Sequence, residues 1–139
     1  MPIATELTIR IDNRQGSLGK ICRDLANHGV NIMAFQSVPS VKTILVCMVV
    51  DKPVAAEAIL DSEGITYTEA EVAQVQLPQA PGELARAVSK LGDANINIKY
   101  AYCGVEPITN SPFVIFGIRE KELDRAANIL DHGAAALGA

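Results

Sequence analysis

Basic clusters are missing from this 139-residue chain, in which 12 Lys and Arg face 16 Asp and Glu for a formal net charge of −4. A sequence pI near 5.1 speaks against a non-specific nucleic-acid binder, whose basic footprint must meet phosphates. Aromatic residues make up only 4%. Phe35, Tyr67, Tyr100, Tyr102, Phe113 and Phe116 are not interleaved with basic residues as a base-stacking platform requires, and they read as core or interface residues. The longest apolar run, Ile44 to Val50, falls far short of the roughly 20 residues of a membrane helix. The N-terminus, MPIATELTIRID, has no basic start followed by an apolar stretch, so it is not read as a secretory signal.

Reactive side chains are equally sparse. Cys22, Cys47 and Cys103 are odd in number, widely spaced and without a CxxC pair. They suit free thiols in a reducing cytoplasm better than a disulfide framework. His28 falls late in a helical segment, where it suits the helix dipole, and His132 falls in a small-residue tail. No His-Glu-x-x-His motif is present, and Gly16-Ser17 has no Gly-Lys-Ser/Thr at P-loop spacing. Asp61-Ser62-Glu63, Glu69-Ala70-Glu71 and Glu120-Lys121-Glu122 read as solvated surface. The chain is therefore expected to carry no catalytic residue, no metal and no cofactor.

What is present is a core-forming composition, 49% hydrophobic and 20% charged, which excludes intrinsic disorder. The length suits one ordinary domain or two very small ones. An internal repeat favours the second. Residues 12–32 read DNRQGSLGKICRDLANHGVNI and residues 78–98 read PQAPGELARAVSKLGDANINI. At a constant offset of 66, Gly16 meets Gly82, Leu18 meets Leu84, Lys20 meets Arg86, Leu25 meets Leu91 and Asn31 meets Asn97.

Each copy opens with alternating apolar residues, Leu7, Ile9 and Ile11 or Ala73, Val75 and Leu77, the mark of a half-buried strand. A Gly-containing turn leads into a helix with an apolar stripe, Leu18, Ile21, Cys22, Leu25 and Ala26 or Leu84, Ala87, Val88 and Leu91. Pro81 suits a first helical turn and Gly29 a helix stop. Further strands are expected from Asn31 to about Val38, Thr43–Val50, Asn97 to about Gly104 and Phe113–Ile118. Second helices are expected at about Pro53–Asp61, capped by Asp51, and at Lys121–Asp131. A strand near Ile65–Glu69 would close copy one; copy two has no clear equivalent, and its tail after Asp131 reads as a frayed terminus. The class is α+β: two ferredoxin-like (βαββαβ) units over residues 1–70 and 71–139, each an antiparallel sheet with helices on one face.

Polar chemistry gathers in the turn between the first strand and first helix: Asn13, Arg14, Gln15, Gly16, Ser17 and Leu18, then Gln79, Ala80, Pro81, Gly82, Glu83 and Leu84. Free N–H groups at a helix start suit a carboxylate or phosphate, and glycine lets a ligand approach the backbone. The same residues also make an ordinary tight turn with no ligand. Asn31 and Asn97 either bond backbone at the strand start or line a pocket between paired units. Ile44–Val50 and Phe113–Phe116 are apolar on both strand faces, so either another sheet covers the outer face or the strands are central and hydrophobic.

The segments Asn-Arg-Gln-Gly-Ser-Leu, a helix of about ten residues and Gly-Val-Asn-Ile closely resemble the ACT domain, the small-molecule-binding regulatory module. Gln-Ala-Pro-Gly-Glu-Leu with Ala-Asn-Ile-Asn-Ile resembles a second one, so the whole chain resembles a stand-alone tandem ACT protein. The resemblance implies effector-binding positions at Asn13, Gly16 and Asn31, and at Gln79, Gly82 and Asn97 in copy two. Ile11 stands where some serine-binding relatives have histidine, and Gln15 where proline is usual. It implies a non-catalytic amino-acid sensor whose ligand sits at the interface of paired units, in a homodimer, acting in trans on an enzyme. Ile11 and Met33 beside the polar loop suggest a small or aliphatic amino acid. The competing expectation is a ligand-free protein–protein interaction module.

Overall fold

The computed structural model describes residues 3–138, with side chains for residues 3–131. Contacts divide it into two compact units, Thr5–Ala70 and Glu71–Ala139, the second also taking the chain start up to Ala4. The first unit holds β1 (Ile3–Asp12) from Thr5 onward, α1 (Ser17–Asn27), β2 (Ile32–Pro39), β3 (Thr43–Val50), α2 (Pro53–Ser62) and the start of β4 (Thr66–Gln76). β3 is the middle strand, antiparallel to both neighbours, pairing Ile9 with Val46 and Gln36 with Cys47. Alternation sends Leu7, Ile9 and Ile11 to the same face as Val46, Met48 and Val50, where Ile21 and Leu25 of α1 and Ala56, Ile59 and Leu60 of α2 close the core.

The second unit repeats the plan with the rest of β4, then α3 (Glu83–Asp93), β5 (Tyr100–Val105), β6 (Pro112–Gly117) and α4 (Glu120–Gly138). β6 is antiparallel to both β4 and β5, pairing Val75 with Val114 and Tyr102 with Ile115. Ala73, Val75, Val114 and Phe116 meet Ala87 and Leu91 of α3 and Leu123, Ala126 and Leu130 of α4, and Ile3 packs against this core. Both units are thus α+β, with an antiparallel sheet covered by two helices on one face. β6 is buried on both faces, Phe113 and Ile115 being 1% and 0% exposed. In β3 the same holds at Val49, while Leu45 and Cys47 stay half-buried.

Five details differ from the sequence expectation. The closing strand of copy one and the opening strand of copy two form one continuous β4, because no Gly, Pro, Asn or Asp interrupts residues 65–77. β5 starts at Tyr100, leaving Asn97 in the irregular segment before it. Pro81 lies just before the α3 cap rather than in the first turn. Asp51 does not cap α2; its Oδ1 accepts the Asn31 N–H at 2.9 Å. The tail expected to fray is helical to Gly138, in keeping with the helix preference of Ala134, Ala135, Ala136 and Leu137.

Candidate functional site

The two loops between first strand and first helix fold alike. Gly16 and Gly82 serve as helix caps at φ 87° and 90°, a left-handed conformation that favours glycine. The Arg14 N–H donates to the Asp12 carbonyl at 3.0 Å, Ser17 to Arg14 at 3.3 Å and Lys20 to Gly16 at 2.9 Å. At the repeat positions Ala80 donates to Pro78 at 3.1 Å, Glu83 to Ala80 at 3.3 Å and Arg86 to Gly82 at 2.9 Å. Neither helix start has a side-chain cap, so beyond Ser17 and Glu83, which donate to Arg14 and Ala80, first-turn N–H groups are left to solvent or a ligand. The helix ends match too: Gly29 at φ 74° and Asn95 at φ 61° stop α1 and α3.

A cavity of about 650 Å³ opens at the first loop, wholly within the first unit. Its walls include Arg14, Gln15, Gly16 and Ser17 of the expected set, with Ile11 and Ile21 as the apolar floor. Asn13, Leu18 and Asn31 are not among its lining residues. Asn13 is exposed with its N–H donated to the Lys42 carbonyl at 3.1 Å, and Leu18 packs against the core. Asn31 is tied by its backbone to Asp51, whose own N–H returns a bond to the Asn31 carbonyl at 3.0 Å. In the second loop Gln79, Ala80, Pro81 and Gly82 are exposed, Glu83 is half-buried, Leu84 is 51% exposed and Asn97 is exposed.

Sequence reasoning missed most of the charge around this cavity. Arg10 comes from β1, Lys20 and Arg23 from α1, and Glu63, Gly64, Ile65 and Thr66 from the connection into β4. Four of the chain's 12 basic residues, Arg10, Arg14, Lys20 and Arg23, line it. Lys20 Nζ reaches Glu63 at 2.7 Å and Asp24 at 2.9 Å. Those hydrogen bonds raise the Lys20 pKa, and the Lys20 ammonium holds the Asp24 carboxyl below its ordinary value. Arg10 donates to Thr43 Oγ1 at 3.1 Å, and Arg14 lies 3.9 Å from Asp12.

Burial pushes the Cys22 and Cys47 pKa values up, away from the reactive thiolate, while Cys103 is exposed. His28 Nδ1 donates to the Asp24 carbonyl at 2.8 Å, fastening the last turn of α1. The His132 side chain lies outside the described residues. Among the described residues no group of three or more His, Cys, Asp or Glu could hold a metal ion, and no helix is long and apolar enough to cross a membrane.

Two repeated α+β units whose first helices are each capped by a glycine define the class of paired ferredoxin-like modules. The sequence matches the family described as ACT domain pair over residues 1–132, and the chain belongs to that family. No curated protein sequence matches it. Among solved structures, protein BT0572 from Bacteroides thetaiotaomicron is similar at a TM-score of 0.82 and 21% identity, over 95% of this chain and 89% of that one. The regulatory subunit of aspartate kinase from Thermus thermophilus, in ligand-free form, aligns at 0.63 and 17% identity, over 94% and 91% of the two chains. The same subunit from Thermus flavus aligns at 0.53 and 15%, over 97% of each.

Proposed function

We propose that the protein is a non-catalytic regulatory module that binds an amino-acid effector at the β1–α1 loop and passes the signal to an enzyme in trans. What supports this is the cavity at that loop, whose walls include Arg14–Ser17 and the unfilled N–H groups at the start of α1. The fold shared with regulatory subunits of aspartate kinase agrees with a regulatory role. Binding shifts a partner only as far as the effector's affinity differs between two arrangements of the module. Pairing with a second copy belongs to the proposal and is read by analytical ultracentrifugation. A thermal-shift screen of the twenty amino acids tests the binding itself. A ligand at ~100 times its Kd adds about 2.7 kcal/mol to the folded state. Gly16→Asp, which strains the loop and adds a negative charge, should abolish the response. Silence from every amino acid, with the protein folded, would refute the effector role and leave the ligand-free interaction module.

A further inference from the structure

We infer that the cavity of the first unit takes an acidic amino acid, an effector with two carboxylates, and that the equivalent loop of the second unit does not share this selectivity. The inference rests on the proposed effector role of the β1–α1 loop and assigns its ligand class. The cavity brings together Arg10 from the strand, Arg14 from the loop and Lys20 and Arg23 from the helix. Lys20 is neutralised by Glu63 and Asp24, and Arg14 is only loosely opposed by Asp12. Among the described residues neither Arg10 nor Arg23 has a carboxylate within ion-pair reach.

Gly19 leaves room for Arg23 beside the start of the helix. A Cβ there would stand 3.3 Å from Arg23 Nη1, so the guanidinium folds back along the helix over the space a side chain would occupy. It thereby adds positive charge towards the positive end of the helix dipole, an unfavourable placement that an anion relieves.

The second copy provides an internal comparison. At the repeat offset Gln76 stands for Arg10, Ala80 for Arg14, Ala85 for Gly19 and Ser89 for Arg23. Its helix instead carries Glu83 in the first turn, paired with Arg86 at 3.3 Å, the usual complement to the dipole. First-turn acids are missing from α1. Two loops of matching backbone thus differ in charge, and Arg10 and Arg23 mark the anion-binding one. Asp12 offers a carboxylate for the ligand's ammonium.

Calorimetric titration tests this with L-aspartate and L-glutamate against L-asparagine and L-glutamine, and with succinate and glutarate as dicarboxylates lacking the ammonium. An acidic amino acid should bind at least about tenfold tighter than its amide. Arg10→Gln and Arg23→Ser, which install the residues of the second copy, should each weaken it by about tenfold without lowering the melting temperature. A neutral amino acid that binds as tightly as the acidic ones, indifferent to both variants, would overturn the ligand class and leave the effector role standing. Succinate or glutarate matching the amino acids would uphold the anion preference and overturn the amino-acid effector. No binding by any probe or any other amino acid would overturn both.

Discussion

Gly16 and Gly19 are three residues apart, yet their replacement by alanine should change stability in opposite directions. Gly16 holds φ 87°, and a Cβ there would meet no atom within 4 Å, so only backbone strain opposes the side chain. That strain is about 1–2 kcal/mol for an L-residue, offset by about 0.4–1 kcal/mol from the stiffer unfolded chain. Gly16→Ala should therefore destabilise by up to roughly 1.6 kcal/mol. Gly19 lies inside α1, where alanine is favoured by about 0.8–1.0 kcal/mol. Its new Cβ meets only the exposed guanidinium of Arg23 at 3.3 Å, a group free to swing away. Gly19→Ala should stabilise by roughly 0.5 kcal/mol while weakening an anionic ligand, since the arginine loses its seat. Urea denaturation, with slopes of about 1–3 kcal/mol per molar, resolves such changes as shifts in midpoint. A more stable Gly16→Ala, or a Gly19→Ala less stable by ~0.5 kcal/mol, would refute the account of both positions.

Three further outcomes follow from packing and charge. An added Cβ at Gly117 would collide with the Tyr100 ring, so Gly117→Ala should lower stability by about 1–3 kcal/mol in the same denaturation assay. The Asp24 carboxyl, depressed by Lys20, gives stability that is complete above the ordinary carboxylate pKa and lost as pH falls through its lowered value. NMR titration should place it below the ordinary Asp midpoint and return it upward in Lys20→Ala. Exposed Cys103 should react with a thiol reagent faster than Cys22 and Cys47, which are half-buried with raised pKa values; equal rates would contradict that burial.

The repeat made the fold readable because the same physical needs recur at one spacing. A glycine caps each first helix with positive φ, an apolar stripe fills each core, and Gly29 and Asn95 both adopt the left-handed stop. β4 was hidden because the acidic stretch around Glu69 and Glu71 resembles a surface boundary, although those residues lie inside one strand. In the site, only the local half was legible. Arg14 to Ser17 follow one another in the loop, whereas Glu63 to Thr66 join them only through the packing of a distant connection. Arg10 and Arg23 were recoverable in principle, being basic where the second copy has Gln76 and Ser89, whereas Lys20 faces the equally basic Arg86. Asn31 is held through its backbone by Asp51, a pairing of distant residues that the sequence did not announce.

Ile3 packs against the core of the second unit, whose other members run from Ala73 to Leu130. Ile3 therefore waits for residues more than a hundred positions further along before its own packing is complete. Such a contact is about as distant in sequence as this chain allows, and closing it incurs the loop entropy that slows folding. Synthesis can shape the Thr5–Ala70 unit early, but the second unit must gather in the chain start after its own helices exist. The Ile3–Ala4 segment thus acts as a late fastening, and its loss should slow the second unit's folding more than the first.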